Sequence, residues 1–219
     1  GGGTFKFNNL RTTENDGISV FDGWERCHLP EKISPYLAGA SGDYATDDIE
    51  AIEKAQILAR KLKTSVLVNG SFAVSRELVI RSGDSFTGTK LASRIKKLNT
   101  SKSTLAPRLA PERAANSSDE YDVDALMILY PENNEYVHGV KFNDIGLYNK
   151  VYGDGNPGEY GVYAPRVAGL DISGVRLENV KRAFKSKNIY QSRIKDFVGI
   201  ANQTAGFVNE GVLAFEISD

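Results

Sequence analysis

The chain has 219 residues, of which 41% are apolar and 25% are charged, and its formal net charge at pH 7 is −1. This composition is typical of a globular polypeptide with one substantial core, and it provides no general attraction to nucleic acid or to an anionic membrane. A single cysteine excludes an internal disulfide framework, and two histidines argue against a multi-histidine metal site. No apolar run is long enough to cross a bilayer, so we expect no membrane insertion, no nucleic-acid partner and no metal or other cofactor.

The first stretch of the chain, residues 1–41, is predicted to be an N-terminal arm. Its two strand-like pieces are separated by polar residues and lie at 4–7 and 17–21. Trp24, the only tryptophan, is predicted to pack where this arm meets the next segment, because large aromatic side chains are usually buried. The adjacent Cys27 and His28 are interpreted as a partly buried thiol beside a surface imidazole, since neighbouring side chains on a strand point to opposite faces.

A helix is predicted from Asp48 to near Lys63, because apolar residues recur there every three or four positions. Asp47 or Thr46 is the expected N-cap, and Glu50 is placed to close a capping box. Short apolar runs separated by turn signals follow the helix, and they predict strands at 65–68, 72–74, 78–80 and 86–88.

The same segment carries a set of motif residues in a fixed order, which are Gly42, Asp43, Thr46, Asp47, Asp48, Ala51, Ile52, Gly70, Leu78, Ile80, Ser82, Gly83 and Gly88. This pattern resembles the opening segment of the pectate-lyase-like superfamily. The chain departs from that family at Tyr44, which replaces a glycine, and at 69–72, where the family has a proline turn. The resemblance implies a mainly β fold, namely a right-handed parallel β-helix (a solenoid) with an N-terminal capping α-helix.

The arm carries a second resemblance. Its sequences GGGTFKF and NDGISVFDG are similar to the segment that precedes the β-helix in phage tailspike and capsule depolymerase proteins. The resemblance implies a homotrimer in the virion tail whose partner is a bacterial capsular or lipopolysaccharide glycan. Residues 42–219 are then the cap and the first coils of the β-helix. We expect the protein to continue beyond residue 219, because no capping sequence follows the last apparent strand at 212–217.

Residues 92–122 are predicted to leave the β core as a long excursion, since prolines and small polar residues dominate them and exclude a continuous helix or central strand. The basic residues at its start are interpreted as solvated charge, with a polyanion-binding patch as the alternative, and they are Arg94, Lys96, Lys97 and Lys102. A buried strand is predicted to follow at 125–129.

Three later segments, 142–149, 172–179 and 189–196, can be laid over one another, and 137–140 matches 167–170 at the same offset. Such an internal repeat is typical of coils of about twenty residues that bury their inward row by stacking. Alternation then predicts which side chains point inward, and these are Phe142, Ile145, Leu147, Leu170, Ile172, Val175 and Leu177.

The same alignment predicts two outward rows, one of Tyr148, Glu178 and Lys195 and the other of Gly146, Arg176 and Arg193. Asp171 also points outward. A surface ion pair between Glu178 and Lys195 is the simplest interpretation of the first row. A catalytic role for the carboxylate is the alternative, although the spacing provides no partner for it.

A second excursion is predicted at 150–166, longer than a turn requires. It carries three tyrosines, Tyr152, Tyr160 and Tyr163. Tyrosine rings can stack on the apolar face of a sugar while their hydroxyls form hydrogen bonds to it. These residues therefore either bind carbohydrate or pack the loop against its own coil or a neighbouring subunit.

Two functional classes remain open. The first is a depolymerase of a bacterial surface polysaccharide. Hydrolysis would use two carboxylates, for which the candidates are Asp171, Glu178 and Glu159. Elimination would use a base and a cation beside a uronate, with a tyrosine, Arg176, Arg193 or Lys195 as candidates. The second class is a non-catalytic trimeric stem or glycan-binding adhesin.

Overall fold

The computed structural model describes residues 3–99, 105, 123–131, 136–149, 158–200, 205–209 and 213–218. Within these ranges the chain is mainly β, with one α-helix and three sheets. A small sheet near the N-terminus is antiparallel, whereas both large sheets contain parallel pairs throughout their described strands. The prediction of a mainly β chain with parallel strands and one α-helix is confirmed.

The strands and the helix of the N-terminal part, in chain order, are β1 (Phe5–Phe7), β2 (Val20–Phe21), β3 (Trp24–Arg26), β4 (Asp43–Asp47), α1 (Ile49–Lys61), β5 (Val66–Val68), β6 (Ser71–Val74), β7 (Leu78–Ile80), β8 (Ser85–Gly88) and β9 (Arg94–Lys97). The later strands are β10 (Ala125–Leu129), β11 (Val137–His138), β12 (Lys141–Asn143), β13 (Gly146–Asn149), β14 (Gly158–Ala168), β15 (Asp171–Ser173), β16 (Arg176–Glu178), β17 (Val180–Lys195), β18 (Val198–Ile200), β19 (Ala205–Asn209) and β20 (Leu213–Ser218). Short 3-10 turns lie at Asn9–Arg11, Pro35–Ala38 and Lys90–Ala92.

The two large sheets arrange their strands in three rows. The first row contains β7, β10, β14, the first part of β17, and β19. The second row contains β5, β8, β12, β15, the end of β17, and β20. The third row contains β4, β6, β9, β13, β16 and β18. From β6 onward the chain visits the third, first and second rows in turn, so strands of successive passes pair in parallel.

The inward side chains of all three rows form one hydrophobic core, which also includes the buried face of α1. The seven residues predicted to point inward in the repeat are all buried there, which confirms that part of the prediction. Phe86 and Phe142 illustrate the stacking, because they are direct partners in neighbouring strands and their ring centroids lie 5.9 Å apart. Burial of such a row contributes the main favourable term to stability of a stacked fold.

The corner from the second row to the third is tight in the later passes. Two residues make each of these turns, at 144–145, 174–175 and 196–197, and the first of the two has a positive φ. Asp144, Gly174 and Asp196 occupy this first position, with φ of 54°, 64° and 48°. Aspartate and glycine tolerate left-handed backbone better than most residues, which explains why they stand here. The corner from the third row to the first is much more variable, as the gap is only Asn179 between β16 and β17 but 98–124 between β9 and β10.

The start of α1 differs from the predicted capping box. Asp47 Oδ1 accepts hydrogen bonds from the backbone N–H of Ile49 at 3.2 Å and from that of Ser75 at 2.9 Å. The Asp48 carboxylate instead accepts from the backbone N–H groups of Ser41 and Gly42. The two aspartates therefore tie the helix start to the turn before it and to the stretch after β6, in addition to the local cap that the sequence indicates.

Both predicted excursions have different bounds in the structure. Residues 94–97 form β9 instead of leaving the core, and residues 158–166 belong to β14. Lys97, predicted to be solvated, is fully buried and donates a hydrogen bond to Asp124. The remaining parts of the two excursions, including Lys102, lie outside the described residues.

The predicted overlay of three repeats is correct for two of them. Gly146, Leu147 and Tyr148 pair with Arg176, Leu177 and Glu178, as the alignment requires, and Val137 pairs with Val167. The third segment was placed in the wrong register, because β17 runs without a break from the first row into the second. Arg193 therefore lies beside Asp171, and Lys195 lies beside Ser173.

Trp24 does not pack where the arm meets the cap. Its side chain is 52% exposed, and its ring meets that of Phe7 edge to face within the antiparallel sheet, with centroids 5.3 Å apart. The buried contribution of this region comes from Ile18 and Val20, which are at most 1% exposed. Ile18 belongs to the main core, so it anchors the arm there in place of the tryptophan.

Candidate functional site

The outward side of the third row carries a group of aromatic and charged side chains. We call this surface the third-row face, and it comprises Tyr44, Lys96, Tyr148, Arg176 and Glu178. Lys96, Tyr148 and Glu178 stand at the same register position on β9, β13 and β16, and so lie in line across the strands. Their position follows from the pleat, because alternate residues such as Ile95 and Leu147 enter the core.

Tyr44 closes one end of this face. Its ring meets that of Tyr148 at right angles, with centroids 6.2 Å apart, and Lys96 Nζ lies 4.1 Å from the Tyr44 ring centroid. Tyr44 also has φ of 64°, a left-handed conformation that is costly for a bulky residue. A strained aromatic residue held between a cation and a second ring is the kind of feature that is concentrated at functional sites.

Arg176, Glu178 and Tyr148 form a connected polar group at the centre of the face. Arg176 Nε donates to Glu178 Oε1, and the Tyr148 hydroxyl donates to the same carboxylate. Burial raises the pKa of the Tyr148 phenol, and the Glu178 carboxylate beside it raises this pKa further. Burial likewise raises the pKa of Tyr44. Both phenols therefore stay protonated at neutral pH and act as hydrogen-bond donors.

A depression of 520 Å³ adjoins the face along the tight corner. Its residues come from three successive turns and include Tyr148 and Arg176 together with Asp144 and Asp196. Gly174 lies between the two aspartates, and a side chain there would meet Asp144 Oδ1 at 2.4 Å. Because residue 174 has no side chain, the depression stays open between the carboxylates of Asp144 and Asp196.

This arrangement matches the chemical needs of a carbohydrate ligand. Aromatic rings can cover the apolar face of a sugar, and neutral phenols and a guanidinium can donate to its oxygens. Carboxylates at the rim can accept from its hydroxyls. Ring, cation and carboxylate lie within one patch here, so a glycan could make all these contacts at once.

The three predicted catalytic carboxylates are not brought together. Glu178 lies in the third row, Asp171 in the second and Glu159 in the first. Asp171 stands between Lys141 and Arg193 on adjacent strands, and Glu159 lies 3.5 Å from Arg182. Only Glu178 belongs to the third-row face, and its contacts there are Arg176 and Tyr148 instead of the predicted Lys195.

Two of the three tyrosines in the predicted excursion at 150–166 also lie away from the third-row face. Tyr160 and Tyr163 are only 5% and 4% exposed, and their ring centroids lie 5.4 Å apart. They pack in a second hydrophobic cluster with Val79, Leu105 and Tyr130. These two tyrosines therefore support the packing alternative. Tyr152 lies outside the described residues.

Sequence reasoning missed four residues of this region. Tyr44 was noted only as a departure from a family glycine, and Lys96 was assigned to an excursion. Asp144 was named only as part of the repeat segment 142–149, and Asp196 was predicted to be a turn residue equivalent to Asn149 and Asn179. The available signal was Tyr44 itself, because a tyrosine in place of a glycine at a left-handed position needs a compensating contact.

Two negative findings apply to the described ranges. Their acidic, histidine and cysteine side chains form no group of three or more that could hold a metal ion. In the same part of the chain, no helix has the length and apolar character needed to cross a membrane.

No protein-family model matches the chain, and no curated protein matches its sequence. Solved structures do match. The tailspike gp42 of Acinetobacter phage vb_AbaP_AS12 superposes with a TM-score of 0.72 and 21% identity, covering 88% of this chain and 32% of that one. The chain has a tailspike-like fold.

Two further solved structures, a second tailspike domain and a glucanase, extend this comparison. The enzymatically active domain of tailspike protein 2 from bacteriophage CBA120 has a TM-score of 0.55 and 15% identity, over 91% of this chain and 32% of that one. The catalytic unit of the GH87 alpha-1,3-glucanase from Streptomyces thermodiastaticus has a TM-score of 0.51 and 12% identity, over 85% and 35%. This chain thus spans 32% of the length of both tailspike chains.

Proposed function

We propose that this chain is part of a tailspike that recognises a bacterial surface polysaccharide, capsular or lipopolysaccharide, through the third-row face. The observation that carries the proposal is the strained Tyr44, which is held against Tyr148 and Lys96 beside the Arg176–Glu178 pair. A backbone cost at one aromatic residue is understandable where that ring contacts a ligand.

The same proposal includes the finer architecture and the assembly. The three rows wind as a right-handed parallel β-helix with α1 as its cap, and residues 42–219 form its first coils after the arm at 1–41. The protein assembles as a homotrimer and belongs to the virion tail. Parallel pairing of successive passes and the tailspike structures that share this fold support these statements.

Degradation of the bound polysaccharide is the second candidate, and the position of Asp144 and Asp196 favours it. The two residues stand two strands apart along one corner, so their backbones are separated by about 10 Å. Carboxyl groups about 6.5–9.5 Å apart are typical of inverting glycosidases, in which one acts as acid and the other as base. In this mechanism Tyr148 and Arg176 would orient the sugar, and Glu178 would hold both side chains in place.

A glycan panel tests both candidates. The purified chain would be incubated with capsular polysaccharides and lipopolysaccharides, while binding and the release of new reducing ends are measured separately. We expect Tyr148→Ala and Arg176→Ala to weaken binding at least tenfold, whereas Tyr136→Ala, a tyrosine that contacts Tyr190 away from the face, binds as the parent does. Equal binding by all four proteins would refute the third-row face as the glycan site.

Hydrolysis has its own control in the same assay. Asp144→Asn and Asp196→Asn should abolish the release of reducing ends and leave binding within a few-fold of the parent. Release that persists in both variants would exclude these carboxylates. Binding without release by the parent chain would favour the adhesin alternative.

A further inference from the structure

A buried polar cluster lies inside the corner between the third and first rows, away from the third-row face. Lys97 at the end of β9 is fully buried, and so is Asn149 at the end of β13. The two residues are direct partners in neighbouring parallel strands, and both enter the core. Asp124, immediately before β10, lies between their side chains.

One oxygen atom connects the cluster. Asp124 Oδ1 accepts from Lys97 Nζ at 2.7 Å and from Asn149 Nδ2 at 3.4 Å. Asn149 Nδ2 also donates to the Tyr160 carbonyl at 2.8 Å, which fixes the orientation of the amide. Within the described part of the chain, Asn149 Oδ1 is buried and has no hydrogen-bond partner. An unsatisfied buried amide oxygen is costly and calls for an explanation.

The surrounding backbone makes room for this amide. A side-chain carbon at Gly158 would lie 2.1 Å from Asn149 Cγ, so only glycine fits at the start of β14. The Lys97 ammonium is likewise held in place, because Nζ also donates to the Ala125 carbonyl at 3.1 Å. An amine and a carboxamide, both fully buried, are therefore held against the same carboxylate, whose side chain is 15% exposed.

We propose that Lys97 and Asn149 form an intramolecular isopeptide bond, with Asp124 as the proton carrier. Lys97 Nζ passes a proton to Asp124 Oδ1, and its lone pair attacks Asn149 Cγ. The new Cγ–Nζ bond forms as the Cγ–Nδ2 bond breaks. Asp124 delivers the first proton to the departing nitrogen and then carries a second proton to it from Nζ. The two protons that Nζ loses leave with that nitrogen as ammonium, so the step needs no oxidant or reductant. Fixed proximity of the two buried groups, with a carboxylate between them to carry protons, supplies the acceleration that such amide exchange requires.

The bond would join residues 97 and 149, at the positions where the chain leaves the third row in two successive passes. It would also join covalently the ends of β9 and β13, from which the connections 98–124 and 150–157 begin. The inference is independent of the glycan proposal, because it concerns the inside of the fold and its test involves no ligand.

Mass spectrometry of the purified full chain under denaturing conditions tests the bond. We expect an intact mass about 17 Da below that of the sequence, the mass of ammonia lost as the amide forms. Trypsin should fail to cleave after Lys97, and a cross-linked peptide containing Lys97 and Asn149 should be recovered. An unmodified mass, or a mass loss without this cross-linked peptide, would overturn the proposal.

Variants separate the roles of the three residues. Asp124→Asn, which preserves shape, should give a folded chain at full mass, and Lys97→Met should do the same. Asp171→Asn, a carboxylate change on another row, should keep the cross-link. A cross-link that survives in Asp124→Asn would refute the proton-carrier role. If Asp124→Asn or Lys97→Met fails to fold, the cross-linked peptide of the parent chain still decides whether the bond exists.

Discussion

At the scale of single residues, left-handed backbone positions carry much of the information in this chain. Most of the positions with positive φ are occupied by glycine, aspartate or asparagine, for which this conformation is tolerable. Tyr44 is the exception that bears on function, because its ring lies in the third-row face. Substitutions at residue 44 can separate the energetic cost of its left-handed backbone from the contribution of its ring contacts.

Replacement of Tyr44 by glycine and by alanine should have different effects on stability. Both variants lose the ring contacts, but only glycine relieves the left-handed strain, which costs about 1–2 kcal/mol for other residues. We expect Tyr44→Gly to exceed Tyr44→Ala by about 1 kcal/mol in free energy of unfolding, measured in urea. Both should lose glycan binding to the same extent. An alanine variant as stable as the glycine variant would show that the backbone at 44 is unstrained.

Asp43, the residue before Tyr44, predicts that the free energy of unfolding depends on pH. Its carboxylate accepts from the Thr46 hydroxyl and from the backbone N–H groups of Thr46 and Ala45, which lowers its pKa from 3.8 to about 2. The ionised form is favoured in the folded state, so its contribution to stability is complete above the unfolded pKa and is lost as pH falls towards the folded one.

A comparison of the parent with Asp43→Asn tests whether this contribution to stability is lost as pH falls. The free energy of unfolding of the parent should exceed that of the variant at pH about 5, and the difference should shrink as pH falls to about 2. Denaturant titrations at four or five pH values measure it. A difference that stays constant over this range would mean that the carboxylate does not titrate with the lowered pKa.

At the scale of elements, the tight corner controls how the second and third rows meet. Gly174 has φ of 64°, and a side chain there would also meet Asp144 Oδ1 at 2.4 Å. Gly139 has φ of 65° and open space around it. The pair therefore separates the cost of backbone conformation from the cost of a clash.

Gly174→Ala should destabilise the fold more than Gly139→Ala. Each pays about 1 kcal/mol for left-handed backbone, and Gly174→Ala adds a displacement of Asp144 that we expect to cost about a further 1–2 kcal/mol. Urea unfolding of both variants beside the parent measures the difference. Equal losses would mean that Asp144 moves aside freely, and the depression at this corner would then be adaptable.

The elements also explain which predictions succeeded. The offset that aligned 142–149 with 172–179 was correct, because alternating apolar residues at those positions enter the same core. The third segment failed because β17 crosses from one row to another inside a continuous strand, at Gln191, which has φ of 46° but is not a residue type that marks a turn in a sequence. The buried residues on either side of this bend, Ile189 and Ser192, are three positions apart, so alternation is interrupted there and an overlay that assumes unbroken alternation is displaced.

At the scale of the whole molecule, motif order predicted the fold better than it predicted the site. The capped helix and the short strands after it were located within a few residues, since periodicity and turn residues are local signals. The third-row face depends on Tyr44, Lys96 and Tyr148 meeting across three strands. Distances of that kind arise from stacking register, which no local pattern in 42–99 contains.

The unequal corners of the stack have a consequence for how such a protein can diverge. The turns at 144–145, 174–175 and 196–197 keep one length, whereas the connections from the third row to the first range from Asn179 alone to 98–124. New sequence can therefore enter on one edge without altering the spacing of the strands behind it. Related proteins could exchange loops on that edge and retain the same scaffold.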